Sequence, residues 1–358
     1  MRIAIVTDAW HPQINGVVRT LEMTRRELEG MGHEVRFITP DLFRSVPCPT
    51  DPDIRLALTT PRSLALELDV IDPDALHIAT EGPLGWAARA VALRRGWPFS
   101  TAYHSRFPEY LQLRTRIPTR WSYALLRRFH NAGCATLVPT AGIQDDLGRR
   151  GFRHCMPWSR GVDLDLFSPE GPQLERGPEP VFLYVGRLAV EKNLAAFLAL
   201  DLPGQKWVVG SGPQEQQLQR NYPQVRWFGW RQGAELASIY RSADVKVFPS
   251  LTDTFGLVLI EAMACGTPVA AFPVSGPIDV VGRGSMGGVL DEDLQRACLR
   301  ALDCDRSAVR RFALRYNWRV ATQQFIETLR PIAQTLPPGD RLIERLSPSE
   351  RLALKLQN

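Results

Sequence analysis

Asp253 and Glu261 stand eight positions apart in the run Ser250-Leu-Thr-Asp-Thr-Phe-Gly-Leu-Val-Leu-Ile-Glu-Ala-Met-Ala-Cys-Gly-Thr-Pro-Val269. Phe255-Gly256 opens a helix within that run and Gly266-Thr267-Pro268 closes it. A helix N-terminus presents unpaired N–H groups and partial positive charge, which suits an anion such as a diphosphate. Two carboxylates beside a phosphate would repel it. As charge-assisted acceptors they suit the hydroxyls of a sugar or ribose instead. These residue types at this spacing therefore point to a nucleotide-sugar pocket.

The same run resembles the Glu-x7-Glu motif of the retaining glycosyltransferases of family 4, which have the GT-B fold. Further segments carry the resemblance: His11-Pro-Gln-Ile-Asn-Gly-Val-Val-Arg-Thr20, Tyr103-His-Ser-Arg-Phe-Pro-Glu-Tyr110, Ser159-Arg-Gly-Val-Asp163, Tyr184-Val-Gly-Arg-Leu188 with Glu191-Lys192-Asn193, and Pro273-Val-Ser-Gly-Pro277. The first motif carboxylate departs from the pattern, being Asp253. An aspartate there is similar to the subgroup that glycosylates lipids: diacylglycerol glycosyltransferases, sulfoquinovosyltransferases and related mannosyltransferases. Aspartate is shorter by one methylene, so the sugar must sit closer or the backbone must shift.

The resemblance implies a role for each matched residue. Glu261 would hold the ribose hydroxyls and Asp253 the sugar end. Backbone N–H groups of Phe255, Gly256 and Leu257 would meet sugar or phosphate oxygens. Charge grows on the departing diphosphate and must be neutralised by a metal or by cations and helix N-termini. Asp51-Pro-Asp53, Asp72-Pro-Asp74 and Asp163-Leu-Asp165 read as loops rather than as a metal-binding pair after a strand. No metal and no cofactor is expected. Arg187 and Lys192 flank a turn at Gly186, after the first strand of the second half, and are the expected diphosphate cations. Gly16 would let the first helix approach the donor from the other side. Gly210 and Gly212 would line the nucleotide. His104, at a strand end, would reach the donor sugar or an acceptor hydroxyl, orienting it or sharing its proton. Arg106 and Glu109 are acceptor-side candidates. Trp230, in Phe228-Gly-Trp230, reads equally as a base neighbour or as core.

The elements that must position these residues read as two β/α series. Arg2–Thr7, a helix with Asn15 as N-cap and Gly30 and Gly32 at its end, and His33–Thr39 form a β–loop–α–β unit of a doubly wound sheet. Ala75–Ile78, Phe99–Tyr103 and Ala135–Pro139 continue the first series. Val181–Val185, Lys206–Val209, Val225–Phe228, Val245–Pro249 and Pro268–Phe272 make the second. The expected architecture is two Rossmann-like domains facing a cleft: an acceptor domain over residues 1–168, a Pro/Gly-rich linker over 169–180, and a donor domain over 181–317. Residues 318–358 would cross back, with Trp318–Leu329 as the crossing helix, a break at Pro331–Asp340 and a further helix at Arg341–Leu356.

The 358 residues suffice for two domains. The six cysteines are scattered without metal spacing. With no signal-peptide pattern and no long apolar run, they favour a cytoplasmic protein, with peripheral attachment to the cytoplasmic face of a membrane. Charge is uneven. Residues 86–160 hold thirteen arginines and three acids, +10, whereas residues 1–85 carry eight arginines and thirteen acids, −5. Residues 106–129 mix Arg with Trp121, Tyr123, Leu125, Leu126 and Phe129. Such a stretch suits an anionic membrane surface or, equally, an ordinary amphipathic surface helix. Only four lysines occur, and no nucleic-acid motif is present. The expected partners are a nucleotide sugar, with UDP favoured over GDP-mannose, and a lipid or saccharide acceptor. A nucleotide-sugar epimerase on the same fold and a non-catalytic sugar-binding protein are the rival readings.

Overall fold

The computed structural model describes residues 1–12, 15–48, 51–282, 284 and 286–332, and it leaves the side chains of residues 51–53, 113 and 114 undescribed. In the first half, β1 (Arg2–Val6), β2 (Glu34–Ile38), β5 (Ala75–Ile78), β6 (Ser100–Ala102), β7 (Ala135–Val138) and β8 (Cys155–Pro157) form a parallel sheet in the order β2-β1-β5-β6-β7-β8. β3 (Ser45–Cys48) and β4 (Asp51–Ala57) make a separate antiparallel hairpin. In the second half, β9 (Val181–Val185), β10 (Gln205–Val209), β11 (Arg226–Trp227), β12 (Val245–Phe248), β13 (Val269–Ala271) and β14 (Gly288–Leu290) form a second parallel sheet, ordered β11-β10-β9-β12-β13-β14.

Parallel strands covered on both faces read as unbroken apolar runs, and the pleat divides those runs between two cores. In β1, Ile3 and Ile5 enter one cluster and Ala4 and Val6 the other. In β9, Val181, Leu183 and Val185 face one side while Phe182 and Tyr184 face the other. Asn15 caps the helix Gly16–Gly30, its side chain accepting from Val17 N at 2.9 Å and Val18 N at 3.1 Å. The helix Trp318–Thr328 returns to the first half. Trp318, Ala321 and Phe325 share a core with Ile3, Ile5, Leu21 and Trp158.

The expected strands are all present: Ala75–Ile78 and Val181–Val185 with the expected bounds, Lys206–Val209 longer by Gln205, and the others trimmed by a residue or two. The main shortfall is β11, two residues where Val225–Phe228 predicts four. Three further features went unread. β8 is a sheet-edge strand ending in Pro157, where a missing N–H is tolerated. β14 is another edge strand and starts at Gly288. The β3–β4 hairpin carries Pro47 and Pro52, which mask its alternation. Asp51-Pro-Asp53 opens β4 and is not a loop as the sequence suggests. The helix expected at Arg341–Leu356 lies outside the described residues, as does most of the Pro331–Asp340 break.

Phe325 is fully buried at the crossing. Phe325→Ala is expected to cost about 3–5 kcal/mol of stability through cavity formation, read as a lowered midpoint in urea unfolding. A loss under about 1 kcal/mol, the range of well-tolerated sites, would mean that this helix does not anchor to the first sheet as described.

Candidate active site

Each sheet reverses its strand order once, between β1 and β5 in the first half and between β9 and β12 in the second. Loops leaving neighbouring strands there run to opposite faces and open a crevice at the strand ends, the usual ligand site in such sheets. The loop after β9 carries Gly186, Arg187 and Lys192, and the loop after β12 carries Asp253. Backbone bonds stitch the rim together: Gly186 N donates to Val209 O at 3.0 Å, Leu188 N to Ser211 O at 2.9 Å and Gly210 N to Gly229 O at 2.8 Å. Gly210 has φ +137°, and a Cβ there would meet Gly186 O at 1.9 Å, so a side chain cannot fit. Gly212 lies beside Leu188 in the same rim. Gly256, at φ +84°, caps the helix Leu257–Ala264, turning the loop so that Glu261 falls inside.

Across the reversal, Lys192 Nζ lies 2.5 Å from Asp253 Oδ1. Burial alone depresses the Lys192 ammonium. The Asp253 carboxylate, aided by Tyr110 and Tyr184, outweighs burial and holds it above its ordinary range. Asp253 Oδ2 is buried without a hydrogen-bond partner among the described residues. Tyr110, on the helix Phe107–Thr115 of the first half, reaches over the cleft to share a hydrogen bond with Thr252, and burial pushes its hydroxyl up to about 12. Glu261 is 3 % exposed. Its Oε1 lies 2.6 Å from Arg19 Nη1, and its Oε2 accepts from the Tyr240 hydroxyl at 3.1 Å. Gly16 packs against Leu257 of the opposite half, where an added Cβ would sit 3.6 Å from Leu257 Cδ1.

His104 follows β6 and meets the same loop, its carbonyl accepting from Thr254 Oγ1 at 2.7 Å. Its ring stands edge-on to Trp158. Burial, reinforced by the Arg160 charge, keeps the imidazole well below its ordinary range, so it is neutral at pH 7. Arg160 Nη2 approaches His104 Nδ1 at 3.4 Å. A guanidinium only donates, so Nδ1 accepts and the ring proton sits on Nε2. That Nε2–H is buried with no hydrogen-bond partner among the described residues, which leaves a donor to be satisfied. Arg160 is itself buried, lies over the Trp158 ring at 4.1 Å and donates to Trp158 O at 2.6 Å. Burial drops it to about 9.

The structure thus brings together Gly16, His104, Gly186, Lys192, Gly210, Gly212, Asp253, Gly256, Leu257 and Glu261 on one cleft. Arg187 lies half-buried on its rim. Phe255 turns its ring into the core against Tyr316. Trp230 is 39 % exposed, which removes the core reading for it. Arg106 bridges the halves, donating to Ser275 Oγ at 3.0 Å and Asp146 Oδ2 at 3.3 Å, and Glu109 accepts from the Tyr123 hydroxyl at 2.6 Å. Arg19, Tyr110, Arg160 and Tyr240 are site residues that sequence reasoning missed. Arg19, Tyr110 and Arg160 stand inside matched motifs, which was their available signal; Tyr240 stands in none. Among the described residues, no group of three His, Cys, Asp or Glu side chains converges as a metal site. No helix among them is long and apolar enough to cross a membrane.

Two parallel sheets with polar residues gathered at facing strand ends make a GT-B architecture. It is similar to sucrose-phosphate synthase from Thermosynechococcus elongatus, with TM-score 0.70 and 21% identity over 91% of this chain and 97% of that one. Residues 14–166 match the family described as Glycosyltransferase Family 4, and residues 179–303 match Glycosyl transferases group 1. The chain is 30% identical to sulfoquinovosyl transferase SQD2 of Arabidopsis thaliana, over 94% of this chain and 76% of that protein. It is also 30% identical to a GDP-mannose-dependent alpha-mannosyltransferase of Mycolicibacterium smegmatis, over 91% and 96%. An alpha-monoglucosyldiacylglycerol synthase of Acholeplasma laidlawii shares 27% over 75% and 79%. The chain belongs to glycosyltransferase family 4.

Beneath the site, Lys246 of β12 is fully buried, its Nζ donating to Val247 O at 2.8 Å and lying 5.0 Å from the Tyr184 ring centroid. Tyr184 in turn donates to Arg187 O at 2.8 Å, so this column props the turn that carries Arg187. Burial lowers Lys246 to about 7, opposed by Asp253 and Glu261 and assisted by Lys192. Below that value both folded and unfolded states carry the proton, and the cost of burying the charge is present in full. Between pH 7 and the unfolded value near 10.5 the folded state alone sheds it, so stability rises with pH. Lys246→Met is expected to remove a component with a slope of about 1.4 kcal/mol per pH unit, measured by urea unfolding from pH 7 to 10. Parallel pH profiles for the variant and the native protein would contradict a depressed Lys246.

Proposed function

We propose that the chain is a retaining, metal-independent transferase that moves a hexosyl group from a nucleotide sugar, a UDP-sugar by preference, to a membrane lipid such as diacylglycerol. One observation carries the reading: the Lys192–Asp253 pair straddles the strand reversal, and Thr254, next to Asp253, bonds the His104 carbonyl of the facing half. Lys192 and Arg187 would hold the diphosphate, relieving a metal of that task. Glu261 would take the ribose hydroxyls, Asp253 Oδ2 a sugar hydroxyl, and His104 would donate to a sugar oxygen rather than act as a base. Among the described residues, no side chain on the cleft is set up as a nucleophile by a neighbouring base. The reading therefore has the acceptor attack on the face the diphosphate leaves, with the leaving phosphate oxygen taking the acceptor proton.

The lipid acceptor is supported by Asp253, by the A. laidlawii relative's name and by an exposed basic face. On the helix Thr119–His130, Trp121 is 62 % and Leu125 52 % exposed, one turn apart, with Arg120, Arg127 and Arg128 beside them. Tyr123, Leu126 and Phe129 of the same helix fill the core instead. In this reading that face rests on anionic lipid at the cytoplasmic surface, while Arg106 and Glu109 border the acceptor path. The M. smegmatis relative favours a second reading, transfer of mannose from GDP-mannose to a lipid or saccharide by the same residues.

Incubation with UDP-glucose, EDTA and diacylglycerol in mixed micelles, followed by mass spectrometry of the lipids, is expected to give an α-linked hexosyl-diacylglycerol. A product formed only from GDP-mannose would replace the first reading with the second. Glu261→Ala and Lys192→Ala are each expected to lower turnover by at least ~100-fold, as loss of groups that stabilise the transition state does, with unchanged far-UV circular dichroism. Near-native turnover in both would sink the site assignment. Binding to vesicles should rise with phosphatidylglycerol content and weaken in Trp121→Ala/Leu125→Ala; binding indifferent to both would discard the membrane contact.

A further inference from the structure

The reading of Glu261 as the ribose acceptor leaves Arg19 unexplained. Arg19 lies in the first turn of the helix Gly16–Gly30, on the opposite side of the cleft, yet it makes the ion pair with Glu261. Its guanidinium is steadied over the Phe167 ring at 5.5 Å. The Glu261 side chain is 4% exposed and the Arg19 side chain 40%, so the carboxylate is buried while its partner stays open to the cleft. A buried carboxylate with no counter-charge is strongly destabilising. Tyr240 supplies a hydrogen bond but no charge. An ionised carboxylate accepts at about four lone-pair positions. Arg19 and Tyr240 each take one, on different oxygens, and capacity remains for two neighbouring hydroxyls.

We propose that Arg19 is a positioning residue for the nucleotide. Reaching over from the first domain, it neutralises and orients Glu261, so that the carboxylate meets the vicinal ribose hydroxyls correctly. The proposal rests on the donor-site reading above and adds a requirement to it.

The test is calorimetric titration of the full chain with UDP and GDP, each against its 2′-deoxy form. Glu261→Ala examines the donor-site reading alone: affinity for the ribonucleotide equal to that of the native chain would remove that reading and the proposal with it. If Glu261→Ala weakens binding, Arg19→Gln decides the proposal. It should bind the preferred nucleotide ~10-fold or more weakly, as truncation of a buried charge partner does, and should lose most of the preference for ribo over 2′-deoxy. Arg19→Lys, which keeps the charge, should recover part of both. The double variant Arg19→Gln/Glu261→Ala should be no weaker than Glu261→Ala, because the two residues act as one unit. In turnover assays Arg19→Gln should raise the donor KM and lower kcat no further than Glu261→Ala does. Arg19→Gln that binds within twofold of the native chain, or that binds more tightly because the pair blocks the site, overturns the proposal.

Discussion

A site for an anionic donor that also contains two carboxylates must solve a problem of charge before any chemistry can occur. Asp253 and Glu261 line the cleft that would receive a diphosphate. Left bare, they would repel the ligand and pay heavily for desolvation. Each is instead tied to a cation, Asp253 to Lys192 and Glu261 to Arg19. The cations come from different places: Lys192 from the loop across the strand reversal, Arg19 from the facing domain. The reversal in each sheet and the contact between the halves are therefore conditions for the site as much as features of the fold.

The same accounting runs through the first domain's side of the cleft. Arg160, although buried, has three donors committed to or aimed at the Trp158 and Ser159 carbonyls and His104 Nδ1. It thereby fixes a neutral histidine in one tautomer without a carboxylate partner. A protonated ring there would stand beside a guanidinium in a dry pocket. The burial that keeps His104 neutral also makes its Nε2–H a stronger donor to any oxygen that arrives, since no water competes for it. Thr254 then binds the His104 carbonyl to the loop after β12, so the histidine of the first half and the carboxylates of the second are held in one frame.

Much of this was legible in the chain. Apolar runs such as Ile3–Val6 and Val181–Val185 declare a parallel sheet because both faces are covered. Gly256 marks the turn that aims Glu261, and Arg187 and Lys192 follow a strand at a glycine. The parts that could not be read depend on partners distant in sequence. Apart from its place in the matched segment His11–Thr20, nothing local to Arg19 distinguishes it from Arg25 on the same helix, yet Arg19 reaches Glu261 and Arg25 pairs with Glu29 one turn away. Tyr110 has the spacing of a surface residue on its own helix and becomes a cleft residue only through Thr252. Lys246 interrupts the apolar run of β12, and only the Val247 carbonyl and the rings of Tyr184 and Phe248, seen in the structure, show how the strand keeps it. Short edge strands such as β8 and β14 carry too few residues for a period to register.

The helix Phe107–Thr115 links the two regions that the proposed reaction must join. Tyr110, near its centre, meets the loop that carries Asp253, while Phe107 at its start is 49 % exposed. Glu109 ties it to Tyr123, and so to the next helix, whose opposite face presents Trp121 and Leu125. Arg106, just before it, holds Ser275 beyond the cleft. A displacement of the exposed helix on a lipid surface would therefore be felt first at Glu109 and Arg106, and next at Tyr110 beside the Lys192–Asp253 pair. Packed side chains that share hydrogen bonds transmit such displacements because they cannot deform independently. In the proposed reaction the surface that meets the acceptor's membrane and the pair that meets the donor sugar are thus joined through the helix Phe107–Thr115.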